Sequence, residues 1–190
     1  FLGVDSINDD LIKLIEGIEN ANFYWAVAAD INLDGDDDLL LFNRNLHALA
    51  IAKGVEPNSD DERSYLSEAA PTLLMSNGGS YVVSEKFEEL KIQCQEEQVI
   101  FADFDNDQDV DIFMPCNNHF GNTRNYLIRN GLESGFKDVT KGSGVEMYGQ
   151  PSGLRPEGAQ PFEHDNDGNI DFYVGSSLFR NLGNFKFKHI

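Results

Sequence analysis

Three nine-residue stretches of this chain place an oxygen-bearing side chain at every odd position. The first carries Asp30, Asn32, Asp34, Asp36 and Asp38; the second Asp103, Asp105, Asp107, Asp109 and Asp111; the third Glu163, Asp165, Asp167, Asn169 and Asp171. In a tight loop such alternation lets the odd side chains converge on one point while the even ones face away. That arrangement suits a hard cation seeking about 6–8 oxygen ligands. Side-chain oxygens are expected from positions one, three, five and nine, a backbone carbonyl from position seven, and water for the rest. Carboxylates crowded this closely repel one another unless a cation sits among them.

The residue types narrow the ion. No His or Cys stands at ligand spacing for zinc, and magnesium usually keeps several waters instead of entering an all-protein cage, so calcium is expected, at about three sites. Manganese fits the same oxygens. An EF-hand also begins D-x-[DN]-x-[DN]-G, but it needs a bidentate acid at position twelve and flanking helices. Here position twelve is Leu41, Met114 and Val174. The flanks are rich in Val, Ile and Phe, which favour strands. Asx-rich turns without metal are the plain alternative for any one loop, and three loops at corresponding places argue against it.

The loops are not identical. Gly35 and Gly168 occupy position six, where a left-handed backbone is commonly needed, whereas the second loop has Gln108 there. A left-handed Gln costs about 1 kcal/mol. The third loop opens with Glu163, whose longer arm shifts the ion or calls for a water.

The segments AVAADINLDGDDDLLLF from Ala26, VIFADFDNDQDVDIFM from Val99 and AQPFEHDNDGNIDFYV from Ala159 line up as apolar stretch, acidic loop, apolar stretch. Downstream of each comes a strand, an Asn/Gly turn and another strand: LMSNGGSY from Leu74, LIRNGLESGF from Leu127 and LFRNLGNF from Leu178. The separation from the last acid to the landmark Asn is 39, 19 and 10 residues, so the length variation sits between second and third strands. The expected fold is therefore all-β, with propeller blades of four antiparallel strands, about three of them in an incomplete ring, and a short N-terminal helix.

The boundaries follow. Residues 1–21 form the helical extension, with Ser6 and Asp9 resembling a capping box and Leu11, Ile12, Leu14, Ile15 and Ile18 at helical spacing. Blade 1 spans 22–92 with an insertion over 44–70 that carries Pro57 and NSDDER; blade 2 spans 93–142, a Gly- and Pro-rich loop 143–156, and blade 3 157–190. Phe23, Tyr24 and Trp25 read as packing residues at a strand start.

The 33 acidic and 14 basic residues give a net charge of -19, which disfavours nucleic acid and anionic membranes and attracts cations. No apolar run approaches the ~20 residues that span a bilayer, and the start at Phe1 suggests a processed protein or a piece of a longer one. Cys94 and Cys116 flank the second loop on segments read as antiparallel strands; they face each other as a disulfide in an oxidising compartment, or remain two buried thiols.

The set D-x-[DN]-x-D-G-x-x-D, L-[IF]-R-N and G-x-F resembles FG-GAP/VCBS repeats. GFKDVTKGSGV from Gly135 followed by EGAQPFEHDNDGNIDFYVG from Glu157 looks most like the cartilage acidic protein branch. The resemblance implies a β-propeller like that of integrin α subunits, calcium in the hairpin loops, and an extracytoplasmic location. Such propellers commonly have seven blades, so three would leave sheet faces that further blades or a partner must cover.

The function these features suggest is a non-enzymatic, calcium-stabilised module for protein interaction or adhesion, with a glycan as another possible ligand, forming a structural subunit or fragment of a larger assembly. The alternative is the propeller portion of a secreted enzyme. Against it, His47, His119, His164 and His189 pair with no Ser or Cys in a recognisable nucleophile motif. His164 sits at an even loop position, facing away from the ion.

Overall fold

A computed structural model of the chain describes residues 5–18, 23–43, 54–56, 59, 70–94, 98–116, 124–146 and 158–190. Most of the expected insertion 44–70, most of the loop 143–156, and His47, His119 and Pro57 lie outside these residues.

Strand-forming stretches pair with their sequence neighbours throughout. The first sheet holds β1 (Phe23–Ala29), β2 (Asp38–Asn43), β3 (Thr72–Asn77) and β4 (Ser80–Val83). The second holds β5 (Ile100–Ala102), β6 (Asp111–Cys116), β7 (Arg124–Asn130) and β8 (Phe136–Asp138). In the third are β9 (Ala159–Phe162), β10 (Asp171–Val174), β11 (Ser177–Asn181) and β12 (Phe187–His189). All pairings are antiparallel, so each sheet is a four-stranded meander, as the repeats led one to expect. Each acidic loop joins the first two strands of its sheet.

The chain divides into two compact units, Phe1–Asp30 with Asp34–Gln93, and Ile31–Leu33 with Cys94–Ile190. In the first unit, helix α1 (Asp5–Gly17) lies against β4. Its Leu11, Leu14 and Ile15 are half-buried, as the helical spacing requires, while Ile12 stays exposed. Ser6, expected to cap the helix, falls inside it. The buried apolar side chains of this unit include Leu40, Phe42, Leu73, Leu74 and Phe87. Trp25 packs on Phe42 of the neighbouring strand at 5.6 Å between ring centres, a contact within one sheet. Phe87 is buried from a single helical turn, α2 (Glu85–Glu88), whose start is capped by the Ser84 hydroxyl accepting from the Phe87 amide.

In the second unit the facing sides of the second and third sheets share one core: Ile100, Phe104, Phe113 and Leu127 meet Phe172, Val174, Phe179 and Phe187. Phe113 and Phe172 lie 4.3 Å apart, with Phe104 edge-on to both Phe172 and Phe187. Burying aromatic side chains this way is the largest favourable contribution available to a sheet pair of this size. The GSGV stretch is pinned to it: Phe187 N donates to Ser143 O, and a Cβ on Gly144 would collide with Phe187 O, so only glycine fits. Cys94 and Cys116 form a disulfide. Cys116 ends β6, but Cys94 lies in an irregular segment before β5 rather than on a strand.

Candidate metal loops

Loop geometry begins with the first acid of each stretch. Asp30 accepts the amides of Asp34 and Gly35 on its two oxygens, and Asp103 accepts those of Asp107 and Gln108. Glu163, one methylene longer, instead takes Asp165, Asn166 and Gly168. The fifth residue repeats the device two positions on, with Asp34, Asp107 and Asp167 accepting from Asp36, Asp109 and Asn169. These short side chains hold the backbone in consecutive Asx-type turns. The turns need left-handed residues at position four (Leu33, Asn106, Asn166) and position six (Gly35, Gln108, Gly168), and all three loops adopt them. Gln108 is therefore held at φ 75°, the strain anticipated from its sequence position.

Position nine, where a ligand to the ion is expected, also ties the loop to its sheet. Asp111 is wholly buried and accepts from Phe104 N and Asn130 N, while Asp171 accepts from His164 N and Asn181 N. Each such carboxylate ties its own loop to the third strand of its sheet. In the first sheet the equivalent donor to Asp38 is Ser76 N. The landmark alignment that matched Asn77 with Asn130 and Asn181 is thus one residue out: Ser76 is their counterpart, and Met75 stands where the other sheets have Arg129 and Arg180.

Those two arginines are site residues that the sequence reading passed over. Arg129 Nη2 lies 2.9 Å from Asp107 Oδ2 and its Nε 3.3 Å from Asp105 Oδ2. Arg180 Nη2 contacts Asp165 at 2.5 Å and Asp167 at 3.2 Å. The signal was the R of the L-[IF]-R-N landmark, which recurs in sheets two and three only.

In the second loop, carboxylate oxygens of Asp103, Asp105 and Asp107 lie within 4.8 Å of one another, as do those of Glu163, Asp165 and Asp171 in the third. Among the described residues the first loop forms no such acidic triple; Asp34 and Asp36 there are exposed. Asn32 is half-buried, and Asn169 receives Asn106 Nδ2 on its side-chain oxygen. Asp109, at position seven, is turned inward at 4% exposure, and its Oδ1 and that of Asp105 are buried without a hydrogen-bond donor. Burial, reinforced by the charges of Asp107 and Asp105, pushes the Asp109 carboxyl up to about 7. Burial likewise lifts Asp111 to about 7 against the pull of the Phe104 and Asn130 amides. Asp105 is raised by burial and its acidic neighbours. Desolvation pulls the Asp107 carboxyl upward, but Arg129 and the Asp109 amide donate to it and hold it low. A site with buried, donor-free carboxylate oxygens and inflated carboxyl pKa values fits a cation of +2 charge. Asp103, Asp105, Asp107 and Asp109 would hold it.

Of the two histidines within the described residues, His164 is exposed at position two of its loop, and His189 shares a 2.8 Å hydrogen bond with Ser177 across β11 and β12. No helix of the described residues is long and apolar enough to cross a membrane. No protein-family model matches the chain, and no curated protein is significantly similar to it.

Proposed function

We propose that this chain is a calcium-binding repeat module of the FG-GAP/VCBS propeller type, non-enzymatic, serving protein interaction or adhesion as part of a larger extracytoplasmic assembly. The observation that carries the calcium reading is the pair of buried, donor-free oxygens, Asp105 Oδ1 and Asp109 Oδ1, inside a loop that also brings Asp103 and Asp107 together. A dication among them converts mutual repulsion into attraction. The propeller reading is supported by three consecutive meanders of four strands, each with its loop in the same place. The Cys94–Cys116 disulfide supports an oxidising compartment.

Calcium titration by calorimetry after chelation, with melting followed in parallel, tests this. The expected result is about three sites, the second loop among them, and a higher melting temperature with metal. Asp109→Asn should remove one site. No heat and no change in melting would sink the calcium reading.

A further inference from the structure

An asparagine or aspartate followed by glycine occurs four times, as Asp34–Gly35, Asn77–Gly78, Asn130–Gly131 and Asp167–Gly168. In such a pair the glycine nitrogen can attack the preceding side-chain carbonyl carbon, because the glycine has no Cβ to stand in the way. The attack needs that nitrogen unoccupied, and at three of the four it is engaged. Gly35 N donates to Asp30 Oδ2, Gly168 N to Glu163 Oε2 and Gly131 N to Gly135 O. Asn130 is moreover only 2% exposed, its side-chain nitrogen donating to Val110 O and its oxygen accepting from Leu132 N.

Asn77–Gly78 differs in each of these respects. Asn77 ends β3 and is exposed, and among the described residues nothing hydrogen-bonds to its side chain or to Gly78 N. Gly78 and Gly79 make a two-residue hairpin turn at φ 59° and 98°, the left-handed pair such turns require. A Cβ added to either would meet no atom within 4 Å, so the turn has room for a ring to close. A neighbouring hydroxyl favours the reaction. Ser80 Oγ donates to Asn77 O at 3.1 Å, which draws electron density from the Asn77–Gly78 amide and stabilises the anion left when Gly78 N loses its proton.

We propose that Asn77 is a site of spontaneous deamidation assisted by Ser80. Hydroxide takes the Gly78 N–H proton, the nitrogen bonds to Asn77 Cγ, and the Cγ–Nδ2 bond breaks to release ammonia, which water protonates as it leaves. A second water opens the resulting succinimide. Addition at Cγ gives aspartate; addition at the main-chain carbonyl breaks its bond to Gly78 N and gives isoaspartate. The net change is one water consumed and one ammonia released, with no oxidant or reductant. Isoaspartate lengthens the main chain by a methylene next to Ser76, whose amide holds Asp38 of the first acidic loop. The modification thereby loosens that loop's tie to its sheet. This inference rests on neither the repeat-module reading nor the ion.

The test is incubation of the full chain in mildly alkaline buffer, followed by peptide mapping with mass spectrometry that separates aspartate from isoaspartate. The Asn77 peptide should convert to both products while the Asn130 peptide stays intact, and in urea both should convert. Asn130 is thus an internal clock for unfolding, in the native chain and in each variant. Ser80→Ala should slow the loss of Asn77 about fivefold. The isoaspartate fraction should melt about 3 °C or more below fresh protein, whereas Asn77→Asp, which adds the charge without the methylene, should melt with it. Asn77 surviving as long as Asn130 in the folded chain, or converting only in urea, overturns the site. An unchanged rate in Ser80→Ala overturns the part given to its hydroxyl, and an isoaspartate fraction that melts like fresh protein overturns the loosened tie.

Discussion

The first and second acidic loops share a backbone and differ in what surrounds it. Both have left-handed residues at positions four and six, both are held by acids at positions one and five, and both send a ninth-position carboxylate to the third strand. The second adds Arg129 across Asp105 and Asp107, a buried Asp109, and an Asn130 side chain that donates to Val110 O of the same loop; the first has Met75, exposed Asp36 and Ser76 at those places. Loop shape is therefore set by local side-chain-to-amide hydrogen bonds, and charge compensation by a residue on another strand. The two are separable, and each of the following measurements acts on one of them.

The widest swing should come from pH. Without metal, Asp109 and Asp111 titrate near 7 in the folded chain and in the ordinary carboxylate range when unfolded, so between those limits the folded state binds more protons. The stability they contribute is fully present below about pH 4 and is lost as pH rises through about 7. Chelated protein should thus lose stability between pH 5 and 8, measured by denaturant unfolding. Calcium should flatten or reverse the trend, because the ion holds the carboxylates ionised. Asp109→Asn should reduce the slope in chelated protein.

Next in size is Asp111→Ala, which strands the buried amides of Phe104 and Asn130 and should destabilise by about 3 kcal/mol in urea unfolding. A loss below about 1 kcal/mol would show that water replaces the carboxylate and that the ninth acid is there for the ion alone. Arg129→Gln removes a resident positive charge from the second loop. The difference in stability between calcium-loaded and chelated protein should widen by on the order of 1 kcal/mol, and Met75→Arg should act in the opposite sense at the first loop. The smallest effect is conformational: Gln108→Gly should stabilise by about 1 kcal/mol with calcium absent, since it relieves a left-handed non-glycine residue, and Gly35→Ala should cost a similar amount.

Much of this was legible in the sequence because it is local. The nine-residue loops, the strands on either side and the strain at Gln108 all follow from residues within a few positions of one another. The one-residue slip at Asn77 was not legible: the letters LMSN and LIRN align by eye, but register is fixed by Asp38 bonding to Ser76 N, a contact across 38 residues of chain. In the first sheet β3 and β4 turn through Gly78 and Gly79, whereas β7 and β8 turn through the longer Gly131–Gly135 stretch, so the strands around each landmark need not keep step. Arg129 and Arg180 were missed for the same reason. Their role depends on which loop lies opposite, and a strand residue does not announce its partner. The disulfide was readable only as one of two options, because pairing depends on how the segment holding Cys94 folds back toward β6.

That disulfide has a mechanical meaning. Cys94 and Cys116 close a covalent ring that contains the whole second loop and β5. Tension applied to the two ends of the chain passes through the sulfur bridge and bypasses the residues between them, so the second loop cannot be drawn out lengthwise while the bridge stands. The first and third loops lie directly in the line of pull. In a tethered molecule they would yield first, and the second would keep its shape until the bond was reduced.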